Sequence, residues 1–220
     1  MLVIFGANGR TGVEVLKLAL ARDMPVKPIV RDDRDVKNLH GVVPVIQVSY
    51  ADPDHPDSLG AVLQGATQVL SCIDARTAGP QAPRYGRKAP ANIIQAATAA
   101  GAQVIVHLTV MGAYRWSPAK LNRHSFYMDE SVRDCTGPWG LLRVSCYHDE
   151  ILEAHMHPPD EGRPHKVPGS SRYSPVSRSD AARMLLDHLQ DLTPGRAPCV
   201  GGPRVYDNHE LTALLSSRTT

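Results

Sequence analysis

The stretch LVIFGANGRTG, residues 2–12, decides the fold. Its first four residues, Leu2, Val3, Ile4 and Phe5, are apolar without alternation. A strand with one wet face alternates, whereas one covered by helices on both faces reads as a continuous apolar run, so the chain opens with a strand inside a parallel sheet. After Gly12 the apolar positions become Val13, Leu16 and Leu20, with Glu14 and Lys17 on the other side, which is the spacing of an amphipathic helix. Gly6 permits the tight turn out of the strand, Gly9 lets backbone approach a pyrophosphate, and Gly12 lets the helix pack close to the strand. The helix beginning near Arg10 then turns its free N–H groups and dipole toward the anion. A glycine triplet alone is a weak signal, since any α/β protein can carry a glycine-rich turn. Its place between a buried strand and a helix is the context that a dinucleotide-binding turn requires.

Composition agrees with this reading. A chain of 220 residues with 42% hydrophobic content can bury one full core, which predicts a single domain over 1–220. A net charge of +2 with mixed signs excludes a nucleic-acid footprint. Cys72, Cys135, Cys146 and Cys199 form no CxxC pair, so reduced thiols and a cytoplasmic location are expected. A core strand starting at residue 2 leaves no room for a signal peptide. No apolar run approaches the roughly 20 residues of a membrane helix, so no membrane partner is expected.

Strand and helix signals alternate along the chain. Strands are expected at 25–30, 43–50, 67–73, 103–110 and 139–145. Asp57 or Ser58 caps a short helix carrying Leu59, Val62 and Leu63. The run APANIIQAATAAG reads as the end of a helix whose apolar face holds Ile93, Ile94 and Ala97 and which stops at Gly101. The pattern predicts right-handed βαβ units in an α/β, doubly wound parallel sheet, with its core at 1–145 and 179–220. Residues 146–178, rich in proline, glycine and charge, are expected as an irregular segment on the substrate side.

Ligands of such a sheet lie beyond the carboxyl ends of its strands. Arg31, at the tip of the second strand, is placed to select a 2′-phosphate; the competing reading is a solvated arginine in the charge run RDDRD. Asp52, beyond the third strand, is placed to accept from an adenine amino group, or else forms a turn before Pro53. His148, His155 and His157 lack the spacing of a metal site, and no metal is expected.

GANGRTG, Arg31, Asp52, the text APANIIQAATAAGAQVIVHLTVMGAY at 89–114, VSRSDAARMLLDHL at 176–189 and VGGPRVYDNHELTALL at 200–215 together resemble the atypical short-chain dehydrogenases with an NmrA-like, NAD(P)H-binding fold. YRWSPAK at 114–120 is similar to a loop of the biliverdin-IXβ/flavin reductases. The resemblance implies a clamp on NADP (NADPH) by Gly6, Asn8, Gly9, Arg10, Thr11 and Gly12, with Arg31 on the 2′-phosphate, Asp52 near the adenine, and Ile73 and Asp74 lining the mouth of the fourth strand. It implies that Thr109 faces the nicotinamide or a substrate carbonyl, and that Arg143, Val144 and Ser145 contact the nicotinamide, although Val144 stands where relatives often carry proline.

The proton donor is not assigned by these motifs. Many short-chain dehydrogenases use Tyr-x-x-x-Lys, in which lysine lowers the tyrosine pKa. Here Tyr127 is followed four places on by Ser131, and Tyr114 is followed six places on by Lys120. Either tyrosine is a candidate acid, and a packed or rim tyrosine is the alternative. The expected function is an NADPH-dependent reductase of a small conjugated or carbonyl compound such as a quinone, flavin or enone, acting as a monomer or homodimer. A non-enzymatic NAD(P)-sensing regulator and a cofactor-retaining isomerase or epimerase are the alternatives. Titration of Arg31→Ala with both nucleotides checks the selector: NADPH affinity is expected to fall far more than NADH affinity.

Overall fold

In the computed structural model the described residues are 1–32, 36, 39, 48–156 and 172–216. Strand β1 (Leu2–Phe5) is buried at all four positions. Leu2 and Ile4 enter a core with helix α1 (Arg10–Ala21) and helix α6 (Arg178–Gln190), while Val3 and Phe5 enter a second core on the opposite face. That two-sided burial is why the run does not alternate. The second core holds helix α2 (Leu59–Leu63) and helix α3 (Ala82–Ala99), together with Val132 of helix α4 (Lys120–Arg133).

Six further strands complete the sheet: β2 (Val26–Val30), β3 (Ser49–Tyr50), β4 (Gln68–Ser71), β5 (Val104–Val110), β6 (Trp139–Val144) and β8 (Cys199–Val200), in the order β3-β2-β1-β4-β5-β6-β8. Every pairing in it is parallel. The order reverses between β1 and β4, and the crevice beyond their carboxyl ends is the switch point of a doubly wound sheet. The expected third strand is seen at Ser49–Tyr50, and 43–47 lie outside the described residues. The run expected to be irregular over 146–178 contains helix α5 (His148–Met156), whose first turn carries Asp149 and Glu150. It also contains strand β7 (Arg172–Tyr173), which pairs antiparallel with β9 (Tyr206–Asp207) ahead of helix α7 (Asn208–Ser216). Residues 157–171 lie outside the described residues.

Helix ends follow local chemistry. Ser177 caps α6 by accepting from Asp180 N–H at 3.0 Å. Gly101, at φ +82°, ends α3, and Ala102 N–H returns to the Ala97 carbonyl at 2.9 Å. Among the described residues no helix is long and apolar enough to cross a membrane, and the four cysteines are unpaired.

Two glycines set the distance between β1 and α1. At Gly12 an added Cβ would lie 2.1 Å from the Gly6 carbonyl oxygen, and at Gly6, with φ +71°, 2.8 Å from the Cys72 carbonyl oxygen. Both obstacles are backbone, so neither can rotate aside. Gly12→Ala is expected to cost about 3 kcal/mol, the upper end for overpacking, read from the urea midpoint. Gly60→Ala in α2, where nothing lies within 4 Å, is expected to stabilise by about 0.5–1 kcal/mol.

His107 of β5 sits opposite Ser71 of β4, with Nδ1 3.0 Å from Ser71 Oγ and Nε2 buried without a partner among the described residues. Burial pushes its pKa down to about 4. The unfolded chain therefore takes up a proton that the folded chain refuses. Stability tied to His107 is complete above the ordinary histidine range and is lost as pH falls from about 6.5 to about 4, by about 3 kcal/mol. Denaturation midpoints at about pH 7 and about pH 4.5 check this: His107→Leu is expected to lose less stability between them than the parent.

Candidate functional site

The glycine turn delivers α1 to the switch point with its amino end open. Its N-cap is Gly9, with no side-chain cap, and its first turn holds no acidic residue. The first intrahelical bond runs from Val13 N–H to the Gly9 carbonyl at 2.8 Å, so the preceding N–H groups have no partner within the helix. Of the cavities at this end, two reach the strand tips. One, of about 380 Å³, is lined by Gly6, Asn8, Gly9, Arg31, Pro53 and Ile73, among others. The other, of about 510 Å³, runs from Gly9, Thr11 and Gly12 past Ile73 and Asp74 to Thr109, Val144 and Tyr147. Gly9, Arg10, Cys72, Ile73 and Asp74 border both. A continuous crevice of this kind suits an extended ligand with an anionic middle lying at the helix end.

Most residues named from sequence for the cofactor converge here. Gly6, Asn8, Gly9, Arg10, Thr11, Gly12, Arg31, Ile73, Asp74, Thr109 and Val144 all line one cavity or the other. Asp52 does not: its carboxylate accepts from Asp54 N–H at 3.0 Å and lies 3.2 Å from His55 Nδ1, so it is occupied in its own turn while Ala51 and Pro53 form the wall. Ser145 is buried and receives Ser174 Oγ at 3.3 Å. The three residues suggested for proton delivery line neither cavity. Tyr114 is 57% exposed on the loop after β5. Lys120 is the first residue of α4. Tyr127 packs under Arg87, whose Cζ is 3.6 Å from the ring centroid, and meets Phe126 edge to face.

Arg143, named from the sequence for the nicotinamide, lines neither cavity, and two residues that the sequence did not single out, Asp129 and Tyr147, share the site's polar structure with it. Arg143 donates from Nε to Asp129 Oδ2 at 2.8 Å, joining β6 to α4. Asp129 is buried, and Thr109 of β5, opposite Arg143 in register, lies against it. Desolvation pushes the Asp129 carboxyl upward, with the hydrogen bond and charge of Arg143 and the charge of Arg133 pulling against it without cancelling the rise. Asp129 Oδ1 and Thr109 Oγ1 are both buried without a hydrogen-bond partner among the described residues. Tyr147 receives Thr11 Oγ1 at 3.2 Å, and burial drives its phenol up to about 12, which keeps it protonated.

Charge at the crevice is dense and of both signs. Arg178 of α6 donates to Thr11 Oγ1 at 2.9 Å, to Asp149 at 2.6 Å and to Glu150 at 3.0 Å, with its Cζ 4.0 Å from the Tyr147 ring centroid. Arg10 donates to Glu153 at 2.8 Å and Asp149 at 3.3 Å. Arg76 Nε donates to Asp74 at 2.8 Å, and Asp74 in turn caps the 3-10 turn Ala75–Gln81 by accepting from Arg76 N–H. Burial raises the Asp149 carboxyl, but the hydrogen bond and charge of Arg178, with Arg10, outweigh it and hold it below its ordinary value. Among the described residues no group of three His, Cys, Asp or Glu side chains is arranged to hold a metal ion.

The chain was compared with known proteins. It is 25% identical over 220 residues to an NAD(P)H azoreductase of Xenophilus azovorans, covering 99% of this chain and 73% of that protein. It is 25% identical to the photosystem II assembly factor Ycf39 of Trieres chinensis, covering 97% of this chain and 67% of that protein. Its fold matches an NADPH-dependent quinone oxidoreductase of Escherichia coli solved with NADPH, at a TM-score of 0.78 and 24% identity over 100% of this chain and 75% of the other. It also matches a Citrobacter triphenylmethane reductase complexed with NADP(H), at a TM-score of 0.71 and 20% identity over 98% of this chain and 75% of the other. The model of the NAD(P)H-binding family matches residues 6–192, so the glycine turn, the switch point and the helices around them are those of a known line, and the chain belongs to the NAD(P)H-binding family of atypical, NmrA-like short-chain dehydrogenases.

Proposed function

We propose that the protein is an NADPH-dependent reductase of a small conjugated or carbonyl compound. The observation that carries this reading is the uncapped end of α1, opening between two cavities of which one ends at Arg31 and the other at Thr109. The residues fit a dinucleotide: glycines leave the helix end bare, and a side chain at Gly12 would close the approach of helix to turn. Gly6, Asn8, Gly9, Arg10, Thr11 and Gly12 hold the diphosphate in this reading, Arg31 the 2′-phosphate, and Ile73 and Asp74 the middle of the crevice. The nicotinamide, when bound, supplies hydride.

What the chain adds is placement and the handling of charge. Leu108, Val110, Leu121, Met128 and Val144 give the far cavity an apolar wall that excludes water from the reacting carbon. Thr109 and Ser125 are two of its buried hydroxyls, able to hydrogen-bond a carbonyl or imine as negative charge grows on it. Quinones, azo compounds and triphenylmethane dyes are the acceptors favoured by the names of the similar proteins. Flavins and enones belong to the same chemical class.

A second reading, a cofactor-binding assembly or regulatory protein, is favoured by the likeness to the photosystem II assembly factor and by Ser131 standing where a lysine would partner Tyr127. Loss of NADPH absorbance with a panel of quinones, azo dyes, triphenylmethane dyes, flavins and enones separates the two. Turnover with at least one acceptor, faster with NADPH than with NADH, is expected. Tight NADPH binding with no turnover across the panel would transfer the assignment to the regulatory reading, and exchange of label from deuterated cofactor without net consumption would transfer it to an isomerase.

A further inference from the structure

Arg10, Arg76 and Arg178 come from three separate places, the first turn of α1, the 3-10 turn after β4 and the first turn of α6, and they converge on one side chain. Glu150 Oε1 accepts from Arg178 Nη2 at 3.0 Å and stands 3.7 Å from Arg10 Nη2 and 3.8 Å from Arg76 Nη2. All four side chains line the cavity that also exposes Gly9, Thr11 and Gly12. A carboxylate ringed by three guanidiniums beside an uncapped helix amino end occupies the electrostatic position of a phosphate.

Building on the reading of the crevice as a dinucleotide site, we infer that Arg10, Arg76 and Arg178 are the cationic ligands of the diphosphate and that the Glu150 carboxylate is the internal anion the diphosphate displaces. The charge count requires a displacement. Asp74, Asp149, Glu150 and Glu153 face three arginines, so the ring already carries an excess of negative charge before a dianionic group arrives. Two anions gathered on the same guanidiniums repel each other. Glu150 is the member that yields. Asp149 holds Arg178 Nε at 2.6 Å, whereas Glu150 makes one bond at 3.0 Å and two longer contacts on a side chain with one more rotatable bond.

Arg178 does not move with it. Its Nη1 stays on Thr11 Oγ1 at 2.9 Å and its plane stays over Tyr147, so the guanidinium whose Nη2 Glu150 releases stays fixed in the cavity beside the first turn of α1. Planar guanidiniums accept either a carboxylate or a phosphate in the same geometry, which is what lets the two exchange. The cost of breaking the internal pair is subtracted from cofactor affinity, and Glu150 thereby sets that affinity.

Calorimetric titration of the full chain with three probes tests this. NADPH and ADP-ribose carry a diphosphate, and adenosine 2′-monophosphate does not. Glu150→Gln is expected to bind the first two about tenfold more tightly and the third within about twofold of the parent. Glu153→Gln removes the same charge from Arg10 at a position outside the cavity wall and is expected to shift all three by less than about threefold. Arg178→Met is expected to weaken the diphosphate probes about tenfold and spare the monophosphate, a second arm that does not depend on Glu150→Gln folding. If the parent binds NADPH but Glu150→Gln binds ADP-ribose no more tightly, or Glu153→Gln matches it, the displacement is overturned while the reductase reading stands. A parent that binds no NADPH overturns both.

Discussion

The architecture depends on how closely the first turn of α1 approaches the turn that precedes it. Gly12 lies against the Gly6 carbonyl with no room for a Cβ, and Gly6, less tightly, lies against the Cys72 carbonyl just past β4. This contact ties together the strand on which the order reverses, its neighbour and the helix between them. It also aims α1 so that its bare amino end opens into the crevice rather than into solvent. Everything on that face follows from α1: α6 packs along it through Ala181, Ala182, Leu185 and Leu186, and this packing brings Arg178 to Thr11. A helix that starts on glycine with no capping side chain gives up about 0.3 kcal/mol of local stability. That deficit sits where an anionic ligand offsets it.

The polar groups behind the crevice obey a different logic. Asp129 and Arg143 form a pair between α4 and β6 in which the carboxylate is almost fully buried. Such a pair gains little net stability, because desolvating both charges cancels most of their attraction. Its effect is geometric. With Thr109 beside them, the two side chains lock α4 to the carboxyl ends of β5 and β6, the strands whose last residues wall the far cavity. Removing either partner would leave the other charged, buried and alone, a far larger penalty than the pair's net worth.

What the sequence made legible was whatever repeats locally. The unbroken apolar run of β1, the glycine spacing and the 3.6-residue period of α1 are short-range patterns, and each survives in the structure with its bounds nearly unchanged. The crevice lining was legible for the same reason, since a doubly wound sheet puts its strand tips together once the strands are known. The charge ring was not. Thr11 and Arg178 are 167 residues apart, and no periodicity connects them. Strands β7 and β9, two residues each, are too short to show an alternation. Asp52 shows a choice the sequence left open: an aspartate ahead of Pro53 satisfies its own turn, the second of the two readings that its position offered.

The rotation of α4 explains why its tyrosine and the far cavity do not meet. The helix turns Ser125, Met128, Asp129 and Val132 inward, the i, i+3, i+4, i+7 stripe of a helix packed on a sheet. At about 100° per residue, Tyr127 falls roughly 100° from Met128 and roughly 200° from Asp129. It therefore points along the flank of the helix, where Arg87 of α3 covers it. Replacing Ser131 with lysine would not restore a dyad, because Ser131 Oγ is already turned back to the Met128 carbonyl at 2.9 Å, on a side of the helix closed by α3. The hydroxyls that this wall does present to the cavity are Thr109, Ser125 and, from the opposite face, Tyr147 held by Thr11. Tyr114, exposed on its loop, and Tyr127, covered by Arg87, line neither cavity.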